Sequence, residues 1–270
     1  MLSEKKLDNK YFLNSHWLQF IIKCNAFNRD KILIDLSEIL EQMLRDKKIK
    51  IWFFLNKKQN ILVKVEFIKK YRNELLNLNK LKQRYEKITI KIDTFEPEIN
   101  QFGGDRGWAV TKKYLNKASL LTIKSIKNKR EKVEFVTIII FDLLLRARGD
   151  AFEAWDVLQK LLIIRGVDQR YQEKDIKKYK FYHAVNLLFD DPKNFYSQKI
   201  TNKNLLAEII KTNSLLIHDL EKEKFSLMFS IRSILPYYII FIFNIFLVSK
   251  SEQKQIIQLL SFFLNPGKYK

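Results

Sequence analysis

The chain predicts an α+β fold: a small N-terminal mixed sheet with packed helices, followed by an all-helical C-terminal half. Three observations carry that expectation. Period-two apolar alternation is confined to the first third of the 270 residues. From Gly107 onward the apolar residues recur at helical spacing only. The 6 glycines and 4 prolines gather into no linker-like stretch, so compact architecture is expected throughout.

The elements follow in order. Trp17 to Cys24 (WLQFIIKC) reads as a short apolar strand. Arg29 to Lys47 places Ile32, Leu36, Ile39, Leu40 and Met43 on one helical face. Ile49 to Leu55 (IKIWFFL) is a second strand, which the turn NKKQN joins to Ile61 to Ile68, where Leu62, Lys64 and Glu66 alternate with Val63, Val65 and Phe67. Tyr71 to Tyr85 returns to helix, and Lys87 to Phe95 alternates again as a strand. The result is β-α-β-β-α-β. Helices are expected over Trp108 to Lys127, Lys132 to Arg148, Ala151 to Arg165, Lys174 to Phe189, Asn204 to Leu220, Lys224 to Val248 with a kink at Pro236, and Glu252 to Leu264.

Composition narrows the chemistry. A 47% hydrophobic content is ample for a core. The single cysteine, Cys24, excludes an internal disulfide, and the three histidines, His16, His183 and His218, lie far apart in sequence with no Cys/His cluster of zinc spacing. A net charge of +20, mostly lysine, concentrates anionic ligands of any kind. The N-terminal MLSEKKLDNKYF lacks the apolar core of a signal peptide. Ser233 to Val248 is apolar but falls short of the ~18 to 20 residues that span a bilayer, and it holds Pro236 and Asn244. A buried core helix and a cytoplasmic protein are therefore expected.

One segment departs from the rest: Asp93 to Val110, DTFEPEINQFGGDRGWAV. Glu96 and Glu98 flank Pro97, and Gly103 and Gly104 lead into a helix. The spacing fits neither GxxxxGK[ST] nor GxGxxG, so it is no phosphate loop. A tight turn with both glycines at positive φ and a helix capped by Asp105 accounts for the glycines and the aspartate. It does not account for the two glutamates between aromatic residues. On a later helix Tyr182 and His183 lie near Asn186, Asp190 and Asp191. They are candidates for acid/base work, although such pairs are more often core-edge residues. Arg146 and Arg148 most simply close a helix at Gly149, and KNKREK (Lys127 to Lys132) is most simply a solvated turn. Trp17, Trp52, Phe53 and Phe54 are expected in the core rather than in a nucleic-acid platform.

Taken in order, HWLQFIIK, IKIWFFLN, ILVKVEFI and FEPEINQFGG resemble the domain found at the C-terminus of lantibiotic dehydratases and, as a stand-alone protein, in thiopeptide biosynthesis. The resemblance runs at motif level from Ser15 to Ile123. It implies one such domain over residues 1–270, with an α/β part at 11–105 and a helical part at 106–270. Members that eliminate glutamate from glutamylated Ser or Thr carry arginines in these strands and this loop. Here Asn56 or Lys57 stands at the first such place, the next strand reads Leu62-Val63-Lys64-Val65-Glu66-Phe67, and the loop arginine is Gln101. Of a late HMHxNR-like segment only Asn244 is retained. A glutamine lacks both the charge and the bidentate grip of an arginine on a carboxylate. Elimination is therefore disfavoured. The other activity known on this scaffold is pyridine synthesis, the formal (4+2) aza-cycloaddition of two dehydroalanines in a modified precursor peptide, with release of water and leader peptide.

The resemblance thus implies a thiopeptide pyridine synthase that needs no cofactor or metal and takes an acidic leader peptide and a dehydrated, azole-containing core peptide. A dehydratase is the candidate protein partner; nucleic acid and membrane are not expected partners. Glu98 and Gln101 are the leading catalytic candidates, with Tyr182 and His183 behind them. Phe95, Phe102, Gly103, Gly104, Asp105 and Lys64 are the substrate-binding candidates. The alternatives are a glutamate-elimination lyase of a split lantibiotic-type dehydratase and a non-catalytic leader-binding subunit.

Overall fold

The computed structural model describes residues 16–57, 60–71, 79–85, 88–95, 97–128, 131–148, 151–167, 173–179, 181–191 and 203–269. Two compact units result, Met1–Pro97 and Glu98–Lys270. The N-terminal residues before His16, the hairpin residues 58 and 59, the middle of KNKREK, and Gly149 lie outside the described residues.

In the first unit, β1 (Trp17–Lys23), α1 (Ala26–Arg45), β2 (Ile49–Lys57), β3 (Asn60–Phe67), α2 (Asn79–Arg84) and β4 (Thr89–Thr94) follow the expected order. The sheet runs β2-β3-β1-β4. All three pairings are antiparallel, so the sheet is not mixed as the crossover connections had suggested. The reason lies in β3. The α1 crossover does set β1 and β2 in one direction, but the hairpin strand β3 inserts between them and leaves no parallel neighbours.

Register then sorts the side chains. Leu18, Phe20 and Ile22 share one face with Ile61, Val63 and Val65 and with Trp52 and Phe54, all buried. Trp52 donates its indole N–H to Glu41 of α1 at 2.7 Å, which ties this face to the helix. The other face carries Trp17, Gln19, Phe53, Lys64 and Glu66. Of the four aromatic residues expected in the core, Trp52, Phe53 and Phe54 are fully buried, and Trp17 lies half-buried at the margin. Helix α1 begins a turn earlier than its apolar stripe suggests, because the Asn25 side chain accepts from the Asn28 N–H at 2.9 Å. Of the helix expected over Tyr71 to Tyr85, α2 supplies Asn79–Arg84, a 3-10 turn lies at Lys69–Tyr71, and residues 72–78 lie outside the described residues.

The second unit is helical: α3 (Asp105–Lys127), α4 (Lys132–Arg148), α5 (Ala151–Arg165), α6 (Glu173–Ile176), α7 (Tyr182–Asp190), α8 (Lys203–Glu223), α9 (Ile231–Ile245) and α10 (Lys250–Leu264). Two expected helices are broken. The one read over Lys174 to Phe189 divides into α6 and α7, because the chain between them closes tighter turns, the Tyr179 N–H donating to the Ile176 carbonyl at 3.1 Å and the Tyr182 N–H to the Tyr179 carbonyl at 2.9 Å. The one read over Lys224 to Val248 divides into a 3-10 turn at Lys224–Ser226, an extended Leu227, and α9. Ser230 opens α9 by accepting from the Ser233 N–H, and Pro236 lies inside it. Most of α9 is core, including Ile234, Leu235, Tyr238, Ile239, Ile242, Phe243 and Ile245. No helix among the described residues is long and apolar enough to cross a membrane.

Helix α10 starts with a capping box. The Ser249 hydroxyl accepts from the Glu252 N–H at 3.2 Å, and the Glu252 carboxylate accepts from the Ser249 N–H at 2.6 Å. Burial pushes the Glu252 carboxyl upward, but the Ser249 amide and hydroxyl and the Lys132 ammonium outweigh it and hold the group below its ordinary value. A carboxyl whose folded pKa is depressed stabilises the fold above its unfolded value, and that contribution is lost as pH falls through the folded value. Ser249→Ala is therefore expected to cost about 1 kcal/mol at pH 7. The melting temperature should fall by about 2–4 °C, with a smaller deficit at pH 3, as read by thermal denaturation at both pH values.

Candidate functional site

The loop after β4 is a structure built by glycines. Ile99–Phe102 forms a single 3-10 turn headed by Glu98. Gly103 ends it in the left-handed region, φ 83° and ψ 27°, and the Gly104 N–H returns to the Ile99 carbonyl at 3.0 Å. Gly104, at φ 94° and ψ −169°, occupies backbone space that essentially only glycine enters. It is also the N-cap of α3, so Asp105 is not the cap. Asp105 is the first helical residue, exposed, where a carboxylate complements the helix dipole without a capping bond.

A third glycine, Gly107, was not singled out by sequence reasoning as part of the site. A Cβ there would lie 1.6 Å from the Phe102 carbonyl oxygen. The first turn of α3 therefore rests directly on the backbone of the loop. The spacing GGDRG was the available signal. Phe102 is fully buried and anchors the loop among Trp108, Tyr238 and Phe241, with ring centroids at 6.0, 5.1 and 5.2 Å. It supports the loop from beneath, as a core residue rather than a ligand-facing one.

Glu98 and Gln101 are exposed. The 3-10 period of three residues per turn sets them toward the same side. Beside them runs a segment that the expected long helix had hidden. The Met228 N–H donates to the Gly103 carbonyl at 3.0 Å, Leu227 fills the space over Gly103, and the Met228 thioether fills that over Gly104. This segment leaves Phe225 94%, Met228 65% and Phe229 49% exposed. The loop thus couples a carboxylate and an amide on one turn to an apolar strip held against its own backbone. Ser230, a cap-type residue ahead of the apolar run of α9, was the signal for that break.

Beneath the loop, α3 is tied to its neighbours by buried polar contacts. Thr111 and Tyr238 share a hydrogen bond of 2.6 Å, and the Tyr114 hydroxyl donates to Asn213 at 3.0 Å. Asn213 in turn donates to Asp142 at 2.8 Å, and Asp142 holds Arg146. Burial pushes both tyrosine hydroxyls far above their ordinary value, so they stay protonated. Arg146 therefore has a partner within its own helix beyond any service to the helix end.

In the first unit, Lys64 and Phe95 come together although 31 positions apart in sequence, with the Lys64 ammonium 3.7 Å from the ring centroid. Lys64 also donates to Gln19 at 3.0 Å, and Phe95 packs edge-on to Trp17 and Phe53. Both residues are buried. Glu96, the other glutamate of the motif, lies outside the described residues.

Tyr182 and His183 sit elsewhere in the second unit. Tyr182 is half-buried against Phe263 of α10, and His183 is exposed beside it. Asn186 donates to Asp190. Helix α7 packs on α10 and α4, whereas the loop packs on α3 and α9, so the two candidate pairs rest on different helices. Burial raises the pKa of the Cys24 thiol despite the lowering by Arg29, which leaves it a poor nucleophile. Among the described residues no three His, Cys, Asp or Glu side chains converge as a metal site requires.

A family model described as the C-terminal part of lantibiotic biosynthesis dehydratases matches residues 17–263. Among solved structures, the chain is similar to the tRNA-dependent lantibiotic dehydratase MibB from Microbispora sp. 107891, with a TM-score of 0.72 and 14% identity over 94% of this chain and 28% of that one. It is also similar to TsrL, with a TM-score of 0.61 and 9% identity over 94% of this chain and 95% of that one. At these identities the likeness is one of fold. No curated protein matches.

Proposed function

The chain belongs to the lantibiotic biosynthesis dehydratase C-terminal family, a family of peptide-antibiotic biosynthesis, and we propose that it is a pyridine synthase acting on a precursor peptide with two dehydroalanines. The family match runs through both compact units, and we take them to work as one domain. The observation that carries the reading is the loop. Its outward groups are a carboxylate and a neutral amide, Glu98 and Gln101, where eliminating relatives are expected to place a cation. Arg106, the next arginine along the chain, lies 3.7 Å from Glu223.

The reaction needs orientation and mild proton transfer. The amide proton of one dehydroalanine moves to the preceding carbonyl oxygen to make a 2-azadiene. The methylene of that dehydroalanine and the preceding carbonyl carbon then bond to the two alkene carbons of the second dehydroalanine, forming two new carbon–carbon bonds. Loss of water, then of the leader as its carboxamide, leaves the aromatic ring. In this scheme Glu98 carries the amide proton to that carbonyl oxygen, then in dehydration takes a ring proton and delivers it to the departing hydroxyl, which leaves as water, and Gln101 donates to the substrate carbonyl. The apolar strip of Phe225, Met228 and Phe229 offers a surface for the azole-rich core. Lys64 and Phe95 serve the substrate only indirectly, by stiffening the exit of β4.

Incubation with a bis-dehydroalanine precursor should yield a macrocycle and a released leader by mass spectrometry; unchanged substrate with folded protein would overturn the assignment. His183→Ala should lower turnover by less than about fivefold, and a loss near 100-fold would move the acid/base role to α7. A second reading rests on Lys64, a buried ammonium on the strand where eliminating relatives place arginine. It predicts conversion of a glutamylated peptide instead, which the same assay reads. Leader binding without either turnover would mark a non-catalytic subunit.

A further inference from the structure

Helices α3 and α8 pack antiparallel. Arg106 and Glu223 meet at one end at 3.7 Å, Tyr114 and Asn213 in the middle at 3.0 Å, and Lys124 and Glu208 at the other end at 2.5 Å. Toward the Lys124 end the seam opens into a groove of about 190 Å³. Its charged lining is three ammonium groups, Lys117, Lys124 and Lys211, against the single carboxylate Glu208, with the Thr212 side chain beside them. Glu208 is engaged by Lys124, while Lys117 and Lys211 make no ion pair among the described residues. Between them lie Leu120, Leu121 and Leu215, and Leu215 is 47% exposed.

The basic character continues along the helix. Lys113, Lys117, Lys124 and Lys127 are all exposed, and with Leu120 they recur at intervals of four and three residues, the spacing of one helical face. A solvated lysine face alone would carry no meaning. What distinguishes this one is the cavity in its middle, floored by aliphatic side chains that run from the buried Leu121 to the exposed Leu215.

We propose that this groove docks an acidic peptide segment, with carboxylates set against Lys117 and Lys211 and an aliphatic side chain laid over Leu215 and the Leu120–Leu121 floor. The volume is too small for most small-molecule ligands, which occupy roughly 300–1,000 Å³. It suits one or two side chains of a chain lying along the seam. Nucleic acid fits poorly. The lining offers no arginine for bidentate phosphate contact and no aromatic ring for base stacking. Lys117 lies about 18 Å along α3 from its N-terminal loop, at 1.5 Å per residue. An extended peptide bridges that distance in roughly six residues. A segment held here would therefore leave its continuation within reach of Glu98 and Gln101, but docking stands on the groove alone and holds whether or not that loop is catalytic.

The test is fluorescence anisotropy on the full chain with a labelled synthetic peptide of glutamates carrying leucine at every third or fourth position. The leucine peptide should bind, and a Lys117→Glu/Lys211→Glu variant should weaken it by at least about tenfold, as should Leu215→Asp. A control reversal elsewhere, Lys31→Glu/Lys254→Glu, should change binding by less than about twofold. The proposal is overturned if the same peptide with serine for leucine, or a single-stranded oligonucleotide, binds as tightly. It is equally overturned if the control reversal weakens binding as much as the groove variant, or if the groove variant binds unchanged. Since the readout is binding, its failure is distinct from failure of the turnover assay.

Discussion

Glu98→Gln is expected to lower turnover of a bis-dehydroalanine precursor by about 100-fold or more, the usual range for removing a general acid/base group. The loss should fall on kcat with KM little changed, because the amide keeps the shape and hydrogen-bonding reach of the carboxylate but cannot carry the proton. Thermal stability should be unchanged. Glu98 is exposed, and its side chain makes no capping bond to the turn it heads. Activity within about threefold of the parent would remove Glu98 from the reaction and leave the loop a structural element.

The second large effect is on stability. Gly107→Ala is expected to destabilise the second unit by about 2–4 kcal/mol, far more than helix propensity alone would suggest, since alanine is otherwise the better helix former. The added Cβ would stand 1.6 Å from the Phe102 carbonyl oxygen and 2.7 Å from its carbon, both backbone atoms that cannot turn aside. Either α3 slides or the loop lifts, and lifting the loop draws Phe102 out of its cluster with Trp108, Tyr238 and Phe241. Gly166→Ala is the comparison. Nothing lies within 4 Å of its Cβ position, so only the strain of φ +60° remains, about 1 kcal/mol. If calorimetry finds the two variants equally stable, the close approach at Gly107 does not constrain the fold. Loss of activity in Gly107→Ala below its melting temperature would show that turn geometry, beyond Glu98 itself, is needed.

Much of the first unit could be read from residue order. The apolar runs WLQFIIK and IKIWFFL and the alternating ILVKVEF locate three strands within about two residues of their observed ends. The uninterrupted helices α4 and α5 fall on their expected spans. Legibility failed where a side chain's environment was set by residues distant in the chain. Phe102 reads as an aromatic beside a functional loop, and only Tyr238 and Phe241, more than 130 positions later, make it core. Asp105 has the chemistry of a cap, but Gly104 takes that position because the Trp108 N–H reaches the Gly104 carbonyl. The long apolar run that hid the break before α9 looked continuous because periodicity does not register a backbone amide spent elsewhere, here that of Met228 on Gly103.

The amino-acid sequence by itself determined the α+β division, the strand alternation, the glycine-dependent turn and the family to which the chain belongs. Each of these rests on local periodicity, on a conformation that only certain residues adopt, or on motifs in order. Tertiary structure alone decided that the sheet is wholly antiparallel, that Lys64 lies over Phe95, that Tyr182 and His183 rest on different helices from Glu98, and that an apolar strip backs the Gly103 turn. Those outcomes depend on which surfaces bury one another across long stretches of chain, and no local spacing encodes that choice.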